Sequence, residues 1–268
     1  MALPAPSRTH GPAERVLESV LRSTLAYHPS DRPVSGAEMA GKLRLALYPE
    51  AADLFDLTSD SLRSKILKLS PWLVATIIIL VPNIAAGFLN FQYNDHQVMT
   101  VEMRAGLSRV SWYVNLTFFP FGGAIAIWLS LSMIRAVQAC KQGIAASPQD
   151  INDTLSLGNR SALIGGSLWF IAGLVFPVSL NFMYTGFTFS QGVHLFISSL
   201  ICGGVAMIYP FFGMALVSTL IYYPRYIGGT MQDDQFYTRR IRMVHQSEAY
   251  LLIAALIPLL GAALLISS

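Results

Sequence analysis

The sequence predicts an all-α, polytopic membrane protein, and three observations carry that prediction. Of 268 residues, 53% are hydrophobic and only 12% charged, whereas soluble domains carry about 25% charge. Five apolar stretches are each long enough to cross a ~30 Å hydrocarbon core as a helix of about 20 residues. The cations are unevenly placed, with nine of the 18 Lys and Arg in residues 1–70. The domain division that follows is a helical head over 1–70 and a transmembrane domain over 71–268.

The head opens without the apolar run of a signal peptide, since its first twenty residues include His10, Glu14, Arg15 and Glu18. "AERVLESVLRSTLAYH" sets Val16, Leu17, Val20, Leu21 and Leu25 on one helical stripe. Two prolines then break the chain, and it restarts with Ser35 as a cap and Glu38 three residues later, the capping-box spacing. Met39, Leu43, Leu45 and Leu47 form the apolar face of this second helix. Seventy residues of this kind bury little core, so the stripes call for a partner: another domain, another chain or the membrane surface.

The five spans fall near Pro71–Asn90, Ser111–Arg135, Ser161–Tyr184, Val193–Tyr223 and Ala249–Ile266. The fourth is long enough that it must tilt, bend or protrude. Arg135, Lys141 and Arg160 flank the middle loop, and Arg225, Arg239, Arg240 and Arg242 occupy the last one. With the head, these place 16 cations on one side, against Arg104 and Arg109 on the other. The positive-inside rule then expects a multi-pass protein of the cytoplasmic (inner) membrane, its N-terminus cytoplasmic and its C-terminus outside. Arg135, Arg225, Arg239, Arg240 and Arg242 read as cytoplasmic-edge anchors, and the triplet in the last loop as headgroup contacts or a docking surface.

A parallel hairpin repeat of about 90 residues is expected. "LNFQY" (Leu89–Tyr93) recurs as "LNFMY" (Leu180–Tyr184), and "FPFGGA" (Phe119–Ala124) as "YPFFGM" (Tyr209–Met214). Each span holds one central or outer proline: Pro82, Pro120, Pro177, Pro210 and Pro258. A proline in a membrane helix frees a carbonyl one turn back and bends the helix, so these five are ordinary kinks or hinges. Asn83, Asn115 and Asn181, with Asn90 as the repeat partner of Asn181, are the polar candidates within the spans. They serve either as interhelical hydrogen bonds or as the lining of a small polar cavity. Paired glycines at 122–123, 165–166 and 203–204 read as close-packing positions.

Several chemistries find no footing. No two of the five histidines share a helical face at a spacing of three or four, and Cys140 and Cys202 stand at different depths. "GAEMAGK" approaches a phosphate-binding loop, but Leu43 stands where a hydroxyl is needed, and the segment is helical in pattern. No metal, cofactor or catalytic residue is expected, and a net charge of +3 is too small to imply nucleic acid. The lipid bilayer is the expected partner. A homo-oligomer is compatible with the sequence but unsupported by it.

The head carries one resemblance. "HPSDRP" (His28–Pro33) followed by "SGAEMAGKL" resembles the closing helices of the large lobe of bacterial Hanks-type serine/threonine protein kinases. In that family a Pro-x-x-Arg-Pro turn precedes a short helix with Glu-Leu or Glu-Met. Pro29, Arg32 and Pro33 match the turn, and Glu38 with Met39 matches the helix. The match covers about 35 residues, and the spans resemble the C-terminal extension of a membrane-anchored kinase. The Gly-rich loop, strand lysine, His-Arg-Asp, Asp-Phe-Gly and Ala-Pro-Glu motifs of a kinase are absent from this chain. The resemblance therefore implies a membrane-anchoring and sensory region, serving an upstream or separate kinase domain, with no catalysis by this chain alone. Two other readings stay open: a small transporter or channel built from helical hairpins, and a structural remnant without independent activity.

Overall fold

A computed structural model describes residues 11–33, 35–44, 47, 62–142, 144–223 and 236–266. Among these the chain is helical, with no strand: α1 (Pro12–Thr24), α2 (Gly36–Arg44), α3 (Leu62–Lys68), α4 (Pro71–Tyr93), α5 (Arg104–Lys141), α6 (Pro148–Met183), α7 (Phe189–Val217) and α8 (Phe236–Ile266). Single π-helical turns follow α4 and α7, at Asn94–Val98 and Ser218–Tyr222. Five of these helical runs are long and apolar enough to cross a membrane. The protein is thus an all-α, polytopic membrane protein.

The helices outrun the apolar stretches that announce them. α5 begins at Arg104 rather than Ser111, α6 at Pro148 rather than Ser161, and α8 at Phe236 rather than Ala249. Hydropathy marks only the hydrocarbon-crossing part of a helix, while backbone hydrogen bonding continues into water. At 36 residues, α6 is about 54 Å long, so its first turns lie beyond a ~30 Å core. Local chemistry sets its start. The Ser147 hydroxyl accepts the Asp150 N–H at 3.0 Å and donates to Asp150 Oδ2 at 2.9 Å, with Pro148 at the first helical position. The start of α7 is built alike, the Thr188 N–H donating to Gln191 Oε1 and the Gln191 N–H to Thr188 Oγ1.

The chain divides into two compact units. The first comprises Met1–Pro71, Ser132–Leu155 and Leu216–Tyr237, which joins the head sequence to two interhelical loops and their flanking helix ends. In it α1 packs on α2, and α3 on the π-turn Ser218–Tyr222. Of the stripe on α1, Val16 and Val20 are buried, while Leu17, Leu21 and Leu25 stay exposed. α2 is only nine residues long, too short to cover so wide a face. At the start of α1 the Gly11 N–H donates to Glu14 Oε2 at 3.1 Å; the Glu38 side chain, on which the capping box expected at α2 depends, lies outside the described residues.

The second unit comprises Trp72–Leu131, Ser156–Ala215 and Thr238–Ser268. One apolar core joins Leu107, Val110 and Val114 of α5 to Phe176 and Leu180 of α6 and Leu195 of α7. A second sets Tyr250 of α8 flat on Phe211 of α7, ring centroids 4.0 Å apart, beside Ala162 of α6. The Tyr250 hydroxyl donates to Asn159 Oδ1 at 3.1 Å. The seam between α6 and α7 depends on glycine: a Cβ at Gly158 would stand 2.8 Å from the Phe211 carbonyl oxygen, and one at Gly203 2.7 Å from Trp169 Cβ. The apolar window of α7 is 39% buried and that of α5 only 11%, so α7 is the central helix and α5 faces mostly outward.

Candidate functional site

A groove lies within the second unit where α4, α5 and α6 approach one another, with a cavity volume of about 120 Å³. On α5 its lining runs along one helical face from Leu107 through Ser111, Phe118 and Gly122 to Leu129. Those 22 steps of α-helix correspond to about 33 Å. The groove is therefore long and narrow, and comparable in length to the hydrocarbon core. Gly87 on α4 and Gly123 on α5 supply no side chain to fill it, and a Cβ at Gly123 would meet nothing within 4 Å.

Polar side chains punctuate an otherwise apolar wall, and none of the residues lining it is ionisable. Asn83 donates from Nδ2 to the Ile79 carbonyl at 2.7 Å, the oxygen one turn back in α4. Its Oδ1 accepts the Trp169 Nε1–H from α6 at 3.0 Å. Ser161 on α6 is buried, and its hydroxyl oxygen has no hydrogen-bond partner in the structure. A buried polar atom left so is costly, which makes this position the least satisfied point of the wall.

The other end is closed by a satisfied polar cluster. Asn94 donates from Nδ2 to the Asn90 carbonyl at 2.7 Å, to Asn90 Oδ1 at 3.1 Å and to Ser198 Oγ of α7 at 2.9 Å. The Ser198 hydroxyl donates to Asn94 Oδ1 at 3.3 Å, and Asn90 reaches Ser199 Oγ at 3.5 Å. Beside them the Tyr93 hydroxyl meets His194 Nδ1 at 3.2 Å. Asn94, the first residue of the π-turn after α4, and Ser198 lie outside the residues the sequence pattern singled out. Asn94 stands just past the apolar stretch, where hydropathy raises no flag, and the serines are too common in membrane helices to signal a contact.

Of the asparagines the sequence did single out, Asn83, Asn90 and Asn115 line the groove and Asn181 does not. Asn83 lies in the groove wall, Asn115 is exposed on its rim, and Asn181 is exposed on α6 away from it. Pro82, Pro120, Pro177, Pro210 and Pro258 each sit inside an uninterrupted helix. In the head, Pro29 opens a single 3-10 turn and Pro33 follows it, while the Arg32 Nε–H donates to the Ala26 carbonyl at 2.9 Å. Glu38 falls within α2, and its side chain lies outside the described residues, as does Arg225 altogether. Arg242 is exposed and Arg239 half-buried on α8, and the Arg240 side chain is again outside the described residues.

Arg135 does more than mark an edge. From α5 it forks onto Asp150 Oδ1 of α6, Nη2 at 2.7 Å and Nε at 3.1 Å, with Nη2 also donating to Ser132 Oγ at 2.9 Å. Burial pushes the Asp150 carboxyl up, but the bonds from Arg135 and Ser147 outweigh it and hold the group below the usual carboxylate range. Among the described residues no cluster of His, Cys, Asp and Glu is placed to hold a metal. Comparison with protein-family models, with curated proteins and with solved structures returned no match to the chain.

Proposed function

We propose that the chain is a membrane-anchoring and sensory region of a serine/threonine-kinase-like protein, with no catalysis of its own. The observation that carries this reading is the order of parts: a short helical head with a Pro-x-x-Arg-Pro turn, followed by five membrane-crossing helices. The bilayer is its primary partner, and an upstream or separate kinase domain its second. The head and the loops carrying Arg135, Arg225, Arg239, Arg240 and Arg242 face the cytoplasm of the inner membrane, and the C-terminus lies outside. The proline-bearing helices would relay a change within the bilayer to the head. The test is to sequence the coding DNA upstream of Met1 and to assay the tagged protein, purified from its native membrane, for phosphate transfer from ATP. An in-frame Gly-rich loop and catalytic Asp, or phosphate transfer by the purified complex, is the expected result. Absence of both would overturn the kinase connection.

A transporter or channel built from helical hairpins is the second reading, favoured by the groove. Solute flux in reconstituted vesicles that is lost on Asn83→Leu would select it.

A further inference from the structure

We infer that the groove between α4, α5 and α6 is a binding site for a long-chain lipid with an uncharged, hydrogen-bonding head. Length, electrostatics and an unsatisfied polar atom converge on this class. A lining that follows one face of α5 for about 33 Å suits an extended hydrocarbon chain better than a compact solute. It also exceeds the depth of a single leaflet, about half of a ~30 Å core, so an ordinary diacyl lipid chain would leave part of it empty.

The charge of the head follows from what the wall lacks. Arg and Lys are the residues that hold a phosphate or carboxylate, and no cation lines this groove. An anionic head would be desolvated there without compensation. The wall instead offers uncharged hydrogen-bonding groups. The Asn83 amide and the Trp169 indole are committed to each other at 3.0 Å, and Asn83 also to Ile79. The cluster at the opposite end is saturated by its own members. Of the other polar lining residues, Ser111 and Asn115, Asn115 is exposed; the Ser161 hydroxyl, 7% exposed, is the fully buried oxygen of the wall without a partner, and so the point where a carbonyl or hydroxyl head would relieve an unmet bond. The head is accordingly placed at Ser161 and the tail along Ala172, Phe176 and Leu107. The inference is independent of any kinase partner and needs only the membrane-embedded bundle.

Trp169 lines the groove, whereas Trp128 is 69% exposed and does not. This difference supplies the readout. The full chain is placed in nanodiscs of saturated phosphatidylcholine, in two versions. One carries Trp72→Phe, Trp112→Phe and Trp128→Phe, leaving Trp169; the other carries Trp72→Phe, Trp112→Phe and Trp169→Phe, leaving Trp128. A brominated long-chain alcohol should quench Trp169 saturably, while Trp128 is quenched only in linear proportion to the alcohol. Gly123→Leu, which adds volume where a Cβ meets nothing within 4 Å, should abolish the saturable part. Ser161→Ala should weaken it about fivefold, the loss of one hydrogen bond. Linear quenching of both tryptophans, or saturable quenching unaffected by Gly123→Leu, would overturn the site. If Ser161→Ala leaves the half-saturation point unchanged, the placement of the head fails. Brominated phosphatidylglycerol quenching Trp169 as strongly as the alcohol would overturn the uncharged-head assignment.

Discussion

Among single residues, Asn94 and Asp150 organise their surroundings more than any residue that composition would pick. Asn94 ties the end of α4 to α7 through Ser198. Interhelical hydrogen bonds in membranes average about 0.6 kcal/mol and reach about 1.7. Asn94→Ala should therefore lower stability by about 1 kcal/mol in a denaturant titration of the detergent-solubilised protein, while Asn181→Ala, exposed on α6, should leave it unchanged. Asp150 answers to pH. Its carboxyl is held below the ordinary range, so its stabilising contribution is present at neutral pH and above, and is lost as pH falls through the folded value. The stability difference between the native chain and Asp150→Asn should be constant near neutrality and shrink to nothing in acid. A difference that persists at low pH would show that the carboxylate charge is not its source.

At the scale of elements, glycines that look alike in sequence separate into two kinds. Gly203 and Gly158 sit where α6 and α7 touch, and at Gly158 the obstructing atom is a backbone oxygen that cannot swing aside. Gly158→Ala should cost on the order of 1–3 kcal/mol, the penalty of overpacking a tight seam, whereas Gly123→Ala should be neutral. Thermal unfolding of the two variants in detergent, followed by circular dichroism, measures the contrast. This distinction marks the limit of what the sequence discloses. The five spans could be read from hydropathy because hydrocarbon imposes a length and a composition on every crossing helix. The extents of α5, α6 and α8 could not, because their outer turns obey capping and backbone geometry instead. The start of α6 rests on Ser147, Pro148 and Asp150, a local pattern that a hydropathy reading beginning the span at Ser161 passes over. The site was half legible. Asn83, Asn115 and Asn181 stand out equally as amides in apolar runs, and only the helix faces in the fold set Asn83 and Asn115 on the groove and Asn181 away from it. Asn90 and Asn181 share a place in the sequence repeat, yet one is buried and the other exposed.

Over the whole molecule, the placement of charge is the dominant order parameter. All but four of the 33 charged residues lie in the head and in the loops assigned to the cytoplasmic side. A phosphatase reporter, active only outside the cytoplasm, should be active when fused after Ser268 and inactive when fused in the loop after Lys141. Activity at both sites, or only at the second, would overturn the orientation. The first compact unit draws on that same head and on the segments around the two loops that carry Lys141 and Arg225.

The groove has a thermodynamic consequence that follows from where it opens. Asn115 on its rim is exposed on the flank of α5, within an apolar stretch, so an occupant enters sideways, from among the lipids. Its standard state is then the two-dimensional membrane phase. Occupancy should track the mole fraction of the ligand in the bilayer and be insensitive to dilution of the vesicles into buffer. The cell would set it by remodelling lipid composition rather than by changing any aqueous concentration.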